Sequence, residues 1–472
     1  MQTSTACDAS ACPLKFNRRG LLGSTAAAIA AAEMGIFDFA SSLFAAETKP
    51  AGKPVVNVVF VRPPKPLTVS WPGGNCDTDA QQALFTKTLQ AAAGKLDVEL
   101  RVHDKPIVKP DEINAYLAQL KKSPPDGLII GAMCLFRWKA VQQLVQNRGK
   151  IPTIIYSHLS GFTKNLQLGR NTPGVLMAAT QSVEWLEMAV RMLNAIWRLK
   201  HTQILDTRRG FKPTAHELGT KFVGCKVNWQ AEIRKAKETD EARAIADYYA
   251  KNAKKIVEPT KAEILEAATQ YASLRRLMAS HKCQGISLHG CLISKPPCLA
   301  ASKLRDEGIV ATCEGVLYGA VGELLTFLLF NRPTFIQDPS PNTINNTLIG
   351  SHCTSPIRLE GCDKPYRAPY QIRDYHTRDG VSMQVLWPKG KEVTFIQLGW
   401  PRKTMWIGTG RVVSNIAQPP SGCCRTAVEI TVDGCRDTRD VKGFHQLFIL
   451  GNLERTFRQF GKLAGIEVSR IY

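Results

Sequence analysis

Three stretches of this chain are apolar along nearly their whole length: Val55 to Val61, Gly127 to Ala132 and Pro152 to Tyr156. A strand with one wet face alternates apolar and polar residues, so continuous runs like these need cover on both faces. Helical periodicity fills the gaps between them, over Asp77 to Lys95, Pro110 to Lys122 and Trp138 to Gln146. Val98 to Val102 reads as a further strand. Strand and helix in alternation predict a parallel sheet between two helical layers, ending near residue 170.

The same alternation restarts beyond Ser182. Helices are expected over Ser182 to Leu199, Glu241 to Lys255, Lys261 to His281, Pro297 to Glu307 and Leu317 to Phe330. Strands are expected over Gln203 to Asp206, Phe222 to Lys226, Gly285 to His289, Ile309 to Cys313 and Thr334 to Gln337. From about Asn342 the texture changes to short β-prone runs separated by Gly, Pro and charged turns: Val381 to Leu386, Val393 to Leu398, Met405 to Ile407 and Ala427 to Val432. That spacing suggests an antiparallel sheet or small barrel, closed by a helix over Gln446 to Ala464. The expected fold class is α/β, with two Rossmann-like domains (47–170 and 171–341) followed by a β-rich domain (342–472).

The N-terminus reads Lys15-Phe16-Asn17-Arg18-Arg19-Gly20-Leu21-Leu22 and continues as an Ala-rich apolar stretch. Paired arginines before a moderate apolar run mark a twin-arginine export signal over 1–46, and so a periplasmic protein. No apolar run reaches the roughly 20 residues of a membrane span.

Lys and Arg number 61 against 40 Asp and Glu, a formal charge of +21. Within the first 46 residues Lys15, Arg18 and Arg19 cancel Asp8, Glu33 and Asp38, so the excess belongs to the remainder. A basic surface favours anionic ligands. The basic residues are scattered, and no zinc-finger, RRM or KH pattern is present, so nucleic acid is not an expected partner. Among the 14 cysteines, Cys423 or Cys424 with Cys435, Cys291 with Cys298, and Cys353 with Cys362 are near enough in sequence to pair. Cys134, Cys225, Cys283 and Cys313 read as small buried apolar groups.

Two carboxylates stand out by position. Glu314 follows the run Ile309 to Cys313, and Asp338 follows Thr334 to Gln337. In open α/β sheets ligands bind outside the carboxyl ends of the strands. Two carboxylates one strand apart at that rim can hold a divalent cation or work as an acid/base pair. A purely local role also fits, with Glu314 capping the next helix and Asp338 shaping an Asp-Pro turn. His289, His352 and His445 are the histidines nearest to these elements. No HExxH, Walker A, GxGxxG or GxSxG pattern points to another chemistry.

The run Pro297 to Ile309, then Ala311-Thr312-Cys313-Glu314-Gly315, then Phe335-Ile336-Gln337-Asp338-Pro339, resembles the L-fucose/L-arabinose isomerase family. Asn346-Thr347-Leu348 through His352-Cys353, and the late Gly443-Phe444-His445, are similar to that family as well. The resemblance implies two α/β domains, a β-rich C-terminal domain and a Mn²⁺ site that could also take Mg²⁺. It implies metal ligation by Glu314, Asp338 and His445, with Glu314 and Asp338 also moving a proton between C1 and C2 of an open-chain sugar through a cis-enediol. His352 is expected to touch substrate. The expected function is thus a divalent-metal-dependent aldose–ketose isomerase-like activity on a sugar, an anionic one given the charge, in a homo-oligomer. The alternative is an exported, non-catalytic protein binding a sugar or an acidic polysaccharide on the same scaffold.

Overall fold

The computed structural model describes residues 52–63, 77–133, 137–157, 166–290, 293–376, 378–416 and 423–472. All of these belong to one compact unit, Glu47–Tyr472. The stretch expected to act as an export signal, with Arg18 and Arg19, lies outside the described residues, as do Cys134 and Cys291. Among the described residues no helix is long and apolar enough to cross a membrane.

The first sheet is wholly parallel. It contains β1 (Val55–Val61), β2 (Glu99–Val102), β3 (Gly127–Ala132), β4 (Thr153–Ser157) and β5 (Val175–Ala179), in the order β2-β1-β3-β4-β5. Alternation along its strands sends residues into two separate cores. Val56, Val58, Phe60 and Ile154 pack with Phe85, Leu89 and Leu193. Val59, Val61, Ile130 and Ile155 pack with Ile113, Leu117 and Leu144. The helices Thr78–Leu96 and Trp185–His201 therefore cover one face, and Pro110–Lys122 and Trp138–Asn147 cover the other. This is the two-sided burial that the continuous apolar runs demand. Asp77 caps the first helix by accepting the N–H groups of Asp79 and Ala80, both at 3.0 Å.

The second sheet draws on β6 (Gln203–Asp206), β7 (Thr214–Ala215), β8 (Lys221–Gly224), β10 (Gly285–Ser287) and β11 (Val310–Thr312), in the order β11-β10-β6-β8-β7. Only the β7–β8 pair is antiparallel. The short β9 (Lys255–Ile256) leaves this sheet and pairs with β14 (Tyr370–Tyr375), which forms a hairpin with β15 (Arg378–Val385).

The C-terminal region holds a closed six-stranded antiparallel barrel. Its strands are β12 (Phe335–Asn342), β13 (Thr347–His352), β16 (Glu392–Leu398), β17 (Thr404–Asn415), β18 (Thr426–Ile430) and β19 (Gln446–Leu450). The order β16-β19-β12-β13-β18-β17 closes through the β16–β17 pairing, and β20 (Glu467–Arg470) adds in parallel outside β17. Closure leaves the ring without free edges.

Two expectations change here. The segment after Thr334 was expected as a parallel strand beside β11, but β12 pairs antiparallel with β13 and β19 and is a barrel strand from Phe335 onward. Pro339 sits inside that strand rather than in an Asp-Pro turn. Pro339 and Pro341 are two apart and so withhold their donors from the same edge, and the pairing with β19 has already stopped at Gln337. The expected C-terminal helix is also divided. Gln446–Leu450 is strand, and the helix covers Glu454–Ala464. Gly451, at φ 102, breaks the two apart, and a Cβ there would come within 2.5 Å of Arg332 Nη1.

The core that includes one face of the first sheet runs on without interruption. It takes in Ile204, Phe222 and Val310 from the second sheet, Leu325 and Leu329 from the helix Leu317–Phe330, and Ile396, Leu447 and Ile449 from the barrel.

Candidate divalent-metal site

Glu314 lies two residues past β11, where the chain turns sharply into the helix Leu317–Phe330. Glu314 and Gly315 are both left-handed, at φ 60 and 71. The Gly315 N–H donates to Leu288 O at 2.7 Å, and a Cβ on Gly315 would come within 2.8 Å of His289 Nδ1. The Cys-Glu-Gly order thus has a local reason: glycine lets the backbone pass beneath the His289 ring, and the turn lifts the carboxylate out of the sheet. His445 is a second left-handed non-glycine residue of the site, at φ 56. Non-glycine residues in this region carry roughly 1–3 kcal/mol of strain that the surroundings must hold.

Asp338 and His445 meet through strand register. β12 and β19 pair Phe335 with Phe448, Ile336 with Leu447 and Gln337 with Gln446. The next step of that antiparallel ladder is Asp338 opposite His445. The Gln337 and Gln446 side chains, fully buried, bond to each other at 3.2 Å just behind them. His352 ends β13, which pairs with β12 on its other side.

The four side chains converge. His445 Nδ1 lies 2.8 Å from Asp338 Oδ1, and His445 Nε2 lies 3.6 Å from Glu314 Oε2. His352 Nε2 lies 3.6 Å from Glu314 Oε1. Ligand atoms of Glu314, Asp338 and His352 all fall within 4.8 Å of one another. The sequence reading placed His445 among the ligands and His352 at substrate; the structure sets both imidazoles against Glu314. His352 is wholly buried at the floor, whereas the Glu314, Asp338 and His445 side chains are 30, 30 and 17 % exposed.

The donor set suits a hard divalent ion. Cis ligands around a six-coordinate ion with bonds of about 2.1 Å stand ~3 Å apart. Asp338 Oδ1 and His445 Nδ1 approach to 2.8 Å, yet both atoms are buried without a hydrogen bond among the described residues. Two buried polar atoms in contact but not bonded to each other are what a shared cation would satisfy.

A buried ion pair fixes the frame. Arg305 and Glu323 meet at 3.0 Å with side chains 1 and 2 % exposed. Glu323 Oε2 also accepts the Ala311 N–H of β11 at 3.2 Å, and Arg305 Nη1 donates to Thr354 O at 2.6 Å. One pair of charges thereby ties the strand that carries Glu314 to the chain just beyond His352. The sequence reading did not single out this pair, and nothing local marks it.

Tyr318 and His289 extend the site on two sides. Tyr318 donates to Phe444 O at 3.0 Å, and burial together with the nearby Asp338 charge raises its phenol pKa. It also lines a cleft of about 740 Å³ with Gln397, Trp400, Arg402 and Trp406. His289 lines a second cleft of about 730 Å³ with Thr207, Arg209, Lys226 and Gln230. His289 was noted in the sequence only as a strand end, and Tyr318 gave no signal beyond its place in the first turn after Glu314.

The cysteines sort by fold rather than by sequence distance. Among the described residues, none of the nine cysteines forms a disulfide. Cys353 and Cys362, close in sequence, are not joined, and Cys353 instead meets Cys424. Cys283 and Cys313 are buried, but Cys225 is half-buried.

No protein-family profile matches this chain, and no curated protein matches it. Among solved structures it is similar to a carbohydrate transporter from Acidothermus cellulolyticus in complex with myo-inositol, at 12% identity and a TM-score of 0.19, over 59% of this chain and 87% of that one. An ABC-transporter solute-binding protein from Agrobacterium vitis bound with α-D-tagatopyranose gives 13% identity and 0.16, over 58% and 89%. The cobalamin-dependent S-adenosylmethionine radical enzyme OxsB gives 13% and 0.20, over 59% and 55%. Scores this low do not define a shared fold.

Proposed function

We propose that this chain is a divalent-metal-dependent aldose–ketose isomerase of the L-fucose/L-arabinose isomerase type. In this reading the two five-stranded sheets are the cores of two Rossmann-like domains, and the protein is exported to the periplasm as a homo-oligomer. The observation that carries it is the meeting of Glu314, just past β11, Asp338 in β12 and His445, just before β19. Local roles such as helix capping or a turn do not require that convergence.

Glu314, Asp338 and His445 would hold the ion, Mn²⁺ or Mg²⁺, with open positions toward solvent. When bound, the ion supplies Lewis acidity at the sugar's O1 and O2, which acidifies the C2 proton and stabilises a cis-enediol. One carboxylate takes the C2 proton, the other, entering protonated, gives its proton to C1, and the hydroxyl proton passes from O2 to O1; the reverse reaction exchanges the carboxylates' tasks. His352, buried against Glu314, holds that carboxylate's orientation and faces the substrate. Trp400 and Trp406, with Gln397, offer flat faces and hydrogen-bonding groups suited to a sugar ring or open chain. Arg209 and Lys226 on the His289 side favour an anionic sugar.

The test is metal analysis of the purified protein, followed by a panel of neutral and acidic aldoses and ketoses with and without chelator. Chelator-sensitive interconversion that returns with Mn²⁺ is expected. Sugar binding with no turnover at any metal loading would instead favour the binding-protein reading.

A further inference from the structure

We propose that Cys353, Cys424 and His376 form a second metal site, a thiolate–imidazole site for a borderline-soft divalent ion such as Zn²⁺. Three separate parts of the barrel region supply the residues. Cys353 directly follows β13, His376 sits in the turn between β14 and β15, and Cys424 lies just before β18. One ligand atom from each falls within 4.8 Å of the other two.

The distances fit the chemistry. A tetrahedral zinc ion with bonds of about 2.3 Å to sulfur and about 2.0 Å to nitrogen places those two ligands ~3.6 Å apart. His376 Nε2 and Cys424 Sγ stand at 3.2 Å, so small movements suffice. Thiolate and imidazole together select zinc-like ions over Mn²⁺ and Mg²⁺, which prefer oxygen ligands. The two sites would therefore discriminate between metals by ligand type alone.

The surroundings hold the ligands in place. His376 is left-handed at φ 51, and its ring stacks on the buried Tyr375 at 4.3 Å. The Arg425 N–H donates to Cys353 Sγ at 3.4 Å, a contact that supports negative charge on sulfur. Cys298 packs against the same cluster. Cys353 is buried, whereas Cys424 and His376 are half-buried, so the site has a closed back and an open front. Three protein ligands with one free position is the arrangement of zinc sites that keep an exchangeable ligand.

This site shares no residue with the carboxylate site, although Cys353 follows His352 directly in the chain. It stands or falls independently of the isomerase reading.

Co²⁺ is the probe, added to the reduced full-length protein under nitrogen. The expected result is a near-ultraviolet thiolate-to-cobalt charge-transfer band with the visible bands of tetrahedral coordination, both abolished by excess Zn²⁺. Cys353→Ser and Cys424→Ser should each abolish the charge-transfer band. His376→Ala, a turn substitution that leaves both thiols in place, should weaken Co²⁺ binding about tenfold or more. Two controls should keep the band: Cys362→Ser, whose sulfur faces Arg305 O at 3.8 Å, and Glu314→Gln. Cobalt bound without the charge-transfer band, and lost in Glu314→Gln, would assign the cobalt to the carboxylate site and overturn the proposal. So would survival of the band in Cys424→Ser, or its absence from the reduced wild-type protein. A Cys353–Cys424 disulfide in the isolated protein, with no cobalt band after reduction, would establish a redox pair instead.

Discussion

Asp338 and His445 face each other one step beyond the Gln337–Gln446 pair of the β12–β19 ladder, and their side chains meet at 2.8 Å. Backbone register therefore sets a contact between residues far apart in sequence. A shift of one residue would turn Asp338 away from His445 and move the buried glutamines to the other face.

Glu314→Gln keeps the shape of the side chain and removes its charge. The variant should fold, bind Mn²⁺ at least about 10-fold more weakly and lose turnover. Titration calorimetry, together with exchange of solvent deuterium into C2 of the sugar, reads both effects. Wild-type exchange rates in the variant would remove Glu314 from the proton transfer.

The two histidines should separate by assay. His445→Ala should weaken metal affinity by roughly 10–100-fold, with activity partly restored at high Mn²⁺. His352→Ala should leave metal affinity nearly unchanged and raise KM or lower kcat. If His352→Ala alone releases the metal, the ion sits on the Glu314–Asp338–His352 group.

Gly315→Ala forces a Cβ onto a left-handed residue, within 2.8 Å of the His289 ring. A loss of about 1–3 kcal/mol is expected from chemical denaturation, with a larger proportional loss of activity because Glu314 shares the turn. Gly390→Ala, also left-handed at φ 75 but with open space at the Cβ position, is the control and should cost less without affecting turnover.

Asp306 governs part of the pH response. Its Oδ1 accepts the N–H groups of Ile357 and Arg358 at 3.0 and 2.7 Å, and Oδ2 is buried without a partner among the described residues. Burial raises its pKa from 3.8 to about 6, against the opposing pull of those backbone bonds and of Arg358 and Arg367. A folded pKa above the unfolded value means that the native state binds the extra proton. This contribution is full below about pH 4 and is lost as pH rises through about 6. Asp306→Asn should remove that decline, so its stability relative to wild type should improve from pH 4 to pH 7 in denaturant titrations.

Changing Arg18 and Arg19 together to Lys should hold the protein in the cytoplasm, because twin-arginine export reads the guanidinium pair. Fractionation of expressing cells measures this, and unchanged periplasmic recovery would remove the assignment.

The elements of the α/β layers could be read because their signals are local. Val55–Val61, Gly127–Ala132 and Leu317–Phe330 occupy the predicted positions, since burial on both faces or one helical stripe is written in consecutive residues. The partner of β12 is not local. Phe335-Ile336-Gln337 looks alike whether the next strand is parallel or antiparallel, and only pairing with β13 and β19 decides. Gln446–Leu450 is apolar enough to merge with the helix after it, and the break rests on one glycine and the approach of Arg332. Glu314 could be picked out from its place just past a strand end; Asp338, expected at another strand end, lies inside β12, where the register against β13 and β19 sets its position. The Arg305–Glu323 clamp and the meeting of Cys353 with Cys424 could not be picked out, because each depends on chain segments brought together only by the barrel.

The helix Trp185–His201 belongs at once to the cover of the first sheet and to the core shared with the second sheet and the barrel. Its Leu193 packs in the same apolar mass that holds Leu325 and Leu447. Hinged halves need a wet seam along which to part, and this dry packing offers none. Ligand entry is therefore expected to move side chains such as Tyr318, whose phenol lies near the Asp338 charge, rather than whole domains. Scattering profiles with and without ligand should superimpose, while the fluorescence of Trp400 and Trp406 should report each arrival.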